Sequence, residues 1–187
     1  MQKNKPFEIV TTITAKSFLE ILAKEKINSN ELQDLLVAAL AEGKMKIATA
    51  ESCTGGLISA KITQVPGSSA VFDCGICSYG NNIKENVLGV SNAVLSSVGA
   101  VSAETAAAMA SGVRLLAKSD IGISTTGIAG PSGGSDEKPV GLVYIACSTQ
   151  KSTAVYKCLL KGNNNNREQI RELAVQIALY AALRFRG

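Results

Sequence analysis

The sequence contains no histidine. That absence excludes a Ser-His-Asp or Cys-His catalytic arrangement within the chain and removes the commonest imidazole metal ligand. Any general base has to come from Lys, Tyr, Asp or Glu. Tryptophan is also absent, and Phe and Tyr supply four residues each, so the chain is short of the aromatic positions on which nucleic-acid bases stack. Nowhere do about 18 uncharged apolar residues run together, the length that a membrane-crossing helix needs. The opening Met-Gln-Lys-Asn-Lys-Pro-Phe-Glu has no apolar core followed by a small-residue cleavage site. These absences predict a soluble, cytoplasmic protein with neither membrane nor nucleic acid as partner.

What is present fits one domain: 187 residues, 46% of them hydrophobic, are ample for a single buried core. The five cysteines, Cys53, Cys74, Cys77, Cys147 and Cys158, are an odd number scattered among strand-like and helix-like residues, as expected of reduced thiols. Cys74 and Cys77 form a C-x-x-C, but on a strand this odd spacing sends them to opposite faces. With no second pair and no histidine the expectation is two small buried residues and no metal. The formal charge of +4 is uneven. Residues 1–28 hold five Lys/Arg and three Asp/Glu, residues 29–150 seven and ten, and residues 151–187 seven and two. A mildly acidic body argues against general nucleic-acid binding, and the basic tail suits a single phosphate.

Hydrophobic spacing orders the elements. Phe18, Leu19, Ile21 and Leu22 suggest one short helix in the leader, after a frayed or extended start. A helix capped by Ser29 or Asn30 has Leu32, Leu35, Leu36, Ala39 and Leu40 as an apolar face and ends at Gly43. A strand from Lys44 to Ala50 leads into a helix from about Thr54 to Gln64, and Val65-Pro66-Gly67-Ser68-Ser69 is a turn. Ala70–Tyr79 reads as a strand, Asn81–Leu88 and Asn92–Ser97 as short helices. The helix beginning at Ser102 carries Glu104 near its positive end and Lys118 near its negative end. A strand over 120–125 empties into the glycine-rich loop 126–135. Strands over 141–148 and 153–160 form a hairpin through Gln150-Lys151, Gly162 to Asn166 is a polar turn, and a helix over 167–184 closes the chain. Strands alternating with helices predict an α/β fold with a largely parallel sheet covered on both faces and one antiparallel pair.

In such sheets ligands bind at the carboxyl ends of strands, near a point where strand order reverses. Three loops occupy such ends. In Glu51-Ser52-Cys53-Thr54-Gly55-Gly56 a strand hands over to a helix, whose free N–H groups and positive dipole end point at whatever binds there, and the glycines admit a ligand close to the backbone. Alternatively Ser52 or Thr54 simply caps that helix. Tyr79 and Lys84 follow the next strand. Lys84 is either an ordinary solvated lysine or a desolvated base for a serine nucleophile, with Tyr79 relaying or orienting the proton. Cys53 is the rival nucleophile, as a thiol near a helix N-terminus has a lowered pKa. The loop with Gly127, Gly130, Gly133 and Gly134 matches neither Walker A nor G-x-G-x-x-G. It is either an N–H concavity for a phosphate or oxyanion, or a merely mobile loop.

Taken together, Glu51-Ser52-Cys53-Thr54-Gly55-Gly56, Val65-Pro66-Gly67-Ser68-Ser69, Ser78-Tyr79 with Lys84 and Leu88-Gly89-Val90, Gly99-Ala100-Val101-Ser102, Thr126-Gly127-Ile128-Ala129-Gly130-Pro131 and Glu137-Lys138-Pro139-Val140-Gly141 resemble the CinA C-terminal family, the nicotinamide-nucleotide amidohydrolase or competence/damage-inducible protein CinA domain. The match runs in order from about Leu32, so residues 1–28 stand as a leader outside it and 29–187 as the domain. The resemblance implies a three-layer α/β/α sandwich with a largely parallel mixed sheet, commonly homo-oligomeric. It implies hydrolysis of the carboxamide of nicotinamide mononucleotide to nicotinate mononucleotide and ammonia, without metal or cofactor. By motif it makes Ser52 the nucleophile, Lys84 the base and Tyr79 its partner, and sets Thr126 with Gly127 near the reacting amide. Thr54, Gly55, Gly56 and the loop glycines are placed with the substrate, and Arg167 or Arg171 at its phosphate. Members often carry glycine where this chain has Ser132. Two other functions compete: a non-catalytic nucleotide-binding or regulatory module that retains the pocket, and a DNA-processing accessory role.

Overall fold

The computed structural model describes residues 7–161 and 166–185. Most of the polar turn expected at Gly162 to Asn166 lies outside the described residues. Six strands form one sheet: β1 (Glu8–Thr14), β2 (Ile47–Glu51), β3 (Phe72–Cys77), β4 (Ile121–Gly127), β5 (Leu142–Ser148) and β6 (Thr153–Leu159), in the order β1-β6-β5-β4-β2-β3. Among the described residues the helices are α1 (Ala15–Glu25), α2 (Leu32–Glu42), α3 (Leu57–Thr63), α4 (Asn81–Asn86), α5 (Asn92–Val98), α6 (Ala103–Ala117) and α7 (Arg167–Arg184). Only β5 runs against the rest, so both its pairings, with β4 and β6, are antiparallel. One antiparallel pair was expected from the hairpin. The second arises because β5 is inserted between β4 and β6.

The central strands β2 and β4 are buried on both faces, as in a covered parallel sheet, although they carry Thr49, Glu51, Ser124, Thr125 and Thr126. On one face α1, α2, α3 and α7 pack through Phe18, Leu36, Ile58 and Ile177. On the other, α6 lies close to the sheet over its alanines Ala106, Ala107 and Ala110, and its Met109 packs with Leu88 and Val90. The close approach depends on Gly122, where an added Cβ would stand 2.1 Å from the Ala110 carbonyl oxygen. Three layers, α/β/α, are the result.

The leader is more structured than the sequence reading allowed. Its start is strand β1, paired in parallel with β6 from Glu8 to Thr14, and Thr14 then caps α1 in a capping box with Ser17. Phe18 is wholly buried and meets Tyr180 of α7 edge to face at 5.8 Å, while Tyr180 donates to Glu25 at 2.9 Å. The cap of the next helical segment is Asn28, whose side chain accepts from Asn30 N, rather than Ser29 or Asn30. The cysteine pair also differs from expectation: β3 is an edge strand, so Cys77 is exposed and Cys74 only half-buried.

Candidate functional site

Chain order reverses at β2. From it the chain passes through α3 to β3 on one side, then through α4, α5 and α6 to β4 on the other. The carboxyl ends of β2, β3 and β4 therefore meet at one edge, at the kind of switch point where open α/β sheets bind ligands. Ser52 emerges there, its N–H bonded to Thr125 O at 2.9 Å.

The turn after β2 is built differently from the helix start expected at Thr54. Gly55 and Gly56 take φ of +62° and +94°, values a helix cannot use, so α3 begins only at Leu57. Its first amides do not face a ligand. The wholly buried carboxylate of Glu51 accepts from Gly56 N at 2.9 Å, Ile58 N at 3.1 Å, Ser59 N at 2.9 Å and Ser59 Oγ at 2.7 Å. Four donors and the positive helix end satisfy a buried charge that would otherwise be costly. Glu51, not Ser52 or Thr54, is the cap. The only signal of this in the sequence is an acid ending an apolar strand. Thr54 instead shares a 2.7 Å hydroxyl bond with Thr125.

Ser52 is half-buried, and the Lys84 ammonium comes to its hydroxyl from α4. Lys84 is only 1% exposed, and its Nζ lies 3.2 Å from Ser52 Oγ, 2.6 Å from Ser78 O and 3.3 Å from Tyr79 O. Burial lowers its pKa from the ordinary 10.5, because the charged form loses hydration that two carbonyls only partly replace. A neutral amine has two N–H donors and one lone pair. In its charged form Lys84 donates to Ser52 Oγ as well; in its neutral form, with both donors on Ser78 O and Tyr79 O, the lone pair would turn to Ser52 Oγ. The solvated-lysine alternative is thereby removed. Cys53 fails the other expectation: its thiol is buried, and desolvation, helped by the charge of Glu51, raises its pKa to about 12. It is a protonated core residue at neutral pH.

A family model for the CinA C-terminal domain matches residues 29–185. The chain belongs to the CinA C-terminal domain family. A competence-damage inducible protein of Caldanaerobacter subterraneus subsp. tengcongensis is 48% identical over 172 residues, 91% of this chain and 41% of the relative. One from Acetivibrio thermocellus is 54% identical over 155 residues, 81% of this chain and 37% of the relative. The chain thus spans well under half the length of these curated relatives. Among solved structures, the competence damage-inducible protein A of Klebsiella pneumoniae superposes with a TM-score of 0.80 at 34% identity, covering 84% of this chain and 96% of that one. The competence/damage inducible protein of Agrobacterium tumefaciens gives 0.77 at 38% identity over 83% and 95%.

Within this CinA-family domain the remaining site residues divide between the mouth of the site and its walls. Tyr79 meets Lys84 through its carbonyl. Tyr79 is 66% exposed, and its phenol oxygen accepts from Arg167 Nη2 at 3.4 Å. Arg167 also donates to Gly130 O at 2.8 Å, joining the start of α7 to the glycine-rich loop. Thr126 is buried and donates to Ala100 O at 2.7 Å, fixing a wall of the site. Arg171 lies against the Ser52 turn, its Nε 3.2 Å from Cys53 O and its Nη2 2.8 Å from Thr54 O.

The glycines of the 127–134 loop are explained largely by packing of the loop on its own return. A Cβ at Gly127 would meet Leu142 O at 2.6 Å, one at Gly130 Val140 Cγ1 at 2.6 Å, and one at Gly134 Val140 N at 2.8 Å. Gly133 is not crowded, since a Cβ there would make only van der Waals contact with Ile128 Cγ2 at 3.9 Å, and it is its φ of +87° that favours glycine. Ser132 is exposed and free of positive φ, so its backbone accommodates a side chain. The loop is anchored by Lys138, whose Nζ donates to Val98 O at 2.7 Å. Among the described residues no three of Cys, Asp and Glu converge in a metal-binding arrangement, and no helix is long and apolar enough to cross a membrane.

Proposed function

We propose that this domain hydrolyses the carboxamide of nicotinamide mononucleotide, releasing ammonia and nicotinate mononucleotide, with Ser52 as nucleophile and Lys84 as the group that moves protons. The observation that carries this reading is the buried Lys84 Nζ held 3.2 Å from Ser52 Oγ by two backbone carbonyls. Ser52 Oγ attacks the amide carbon while its proton passes to the Lys84 lone pair. Collapse of the tetrahedral intermediate breaks the C–N bond, and Lys84 returns that proton to the leaving nitrogen, which departs as ammonia. Water then attacks the ester so formed, losing a proton to Lys84, and Ser52 recovers its hydrogen as the acid leaves. One group alternating between base and acid is sufficient, which suits a chain without histidine.

Arg167 supports the phosphate in this reading. It stands at the mouth between Tyr79 and Gly130, with guanidinium donors beyond the two already engaged. Remote binding energy of this kind positions the reacting group, so free nicotinamide should be a poor substrate. The test is to incubate the purified chain with nicotinamide mononucleotide, nicotinamide and an unrelated amide, and to measure ammonia. The expected result is release from the mononucleotide with a kcat/KM at least about a hundredfold above that for nicotinamide. Equal values for the two would contradict the phosphate requirement, and no release from any of them would contradict the hydrolytic reading.

A further inference from the structure

Arg171 is half-buried on α7, and its guanidinium lies against the backbone of the turn that carries Ser52. Nε and Nη2 engage the consecutive carbonyls of Cys53 and Thr54 at 3.2 and 2.8 Å, and a Cβ added to Gly55 would stand 3.4 Å from Nη2. The planar fork holds both carbonyls in one fixed plane with diverging donors, a geometry that an ammonium, as a point donor, does not impose. In a trans peptide the N–H lies opposite the C=O. Fixing these two carbonyls on the α7 side therefore also turns the N–H groups of Thr54 and Gly55 away from α7. The same turn is held at its far end by Glu51, on the amides of Gly56, Ile58 and Ser59, and in its middle by the Thr54–Thr125 hydroxyl bond.

We infer that Arg171 is a positioning residue for Ser52 and not a phosphate ligand: its fork sets the backbone of the nucleophile turn, leaving the phosphate to other groups. The inference rests on the hydrolytic reading of the site for its kinetic consequences, but its structural consequence is independent of that reading. Removing the fork frees the turn while the sheet beneath it stays in place. A turn that wanders by an ångström misplaces Ser52 relative to Lys84, which costs rate rather than affinity.

The experiment compares wild type with Arg171→Met, which keeps the apolar stem, and Arg171→Lys, which keeps the charge. On nicotinamide mononucleotide, kcat falls about 10- to 100-fold in Arg171→Met with KM changed less than about threefold, and Arg171→Lys recovers only part of the loss. A KM raised tenfold or more with kcat unchanged, or full recovery by lysine, would make Arg171 a phosphate contact and overturn the inference. Amide hydrogen exchange is measured in parallel without substrate. Exchange at Gly56, Ile58 and Ser59 speeds up about tenfold in Arg171→Met while α6 stays protected. If α6 also loses protection, Arg171→Lys decides the same comparison. Unchanged exchange in the turn would overturn the inference. Faster exchange in a chain whose wild type releases no ammonia would retire the hydrolytic reading and leave the positioning role standing.

Discussion

Lys84 carries the pH dependence expected of this site. It can accept a proton from Ser52 only when neutral, and burial lowers its pKa from the ordinary 10.5, so a larger neutral fraction exists at any given pH below that value. Activity therefore rises with pH, along a limb whose midpoint lies below 10.5. Lys84→Arg keeps a charged donor near Ser78 O but cannot deprotonate. It should lose at least about a hundredfold in kcat/KM and the ascending limb with it. The pH profiles of the two proteins check this, and an arginine variant that kept both rate and limb would reduce Lys84 to a binding residue. Ser52, Lys84 and Tyr79 could be read as a group from the sequence because each follows a strand end. The mode of Tyr79's contact could not, since its carbonyl and not its phenol reaches the lysine. A helix starting at about Thr54 would lower the Cys53 pKa, whereas Cys53 points into the core, where desolvation outweighs any dipole.

At the scale of elements, the parts that periodicity reports were legible and the parts that pairing creates were not. The Ser102 cap, whose side chain accepts from Thr105 N, and the long alanine-rich helix behind it were evident from local signals. β1 was invisible to alternation because six of its seven residues are exposed, and only its ladder with β6 makes it a strand. The start of α3 was misplaced by the glycines that make the turn. Glu51 went unrecognised as the clamp because its partners sit five to eight residues downstream, beyond the reach of a capping box. Arg171 and the turn it grips are separated by 117 and 118 positions, which no local pattern connects. Integration of the leader has a direct test. Phe18→Ala removes a wholly buried ring that packs on Tyr180, and should cost about 3–5 kcal/mol of unfolding free energy in a denaturant titration. A loss below about 1 kcal/mol would mean that α1 is dispensable to the core.

For the whole molecule, the alternation of strands and helices was enough to place three loops at one edge of a three-layer sandwich, and the fold assembles them around β2 as the switch point. What the alternation left open was the position of β5, whose antiparallel insertion separates β4 from β6 and sets β6 beside β1. The central claim is that this edge hydrolyses an amide through Ser52, with the adjacent Cys53 as a bystander. The most direct measurement is ammonia release from nicotinamide mononucleotide by wild type, Ser52→Ala and Cys53→Ala at equal concentration. Ser52→Ala should fall by at least about a thousandfold in kcat, since it removes the bond-forming atom, and Cys53→Ala should stay within about tenfold of wild type. Retained turnover in Ser52→Ala, with loss in Cys53→Ala, would contradict the account.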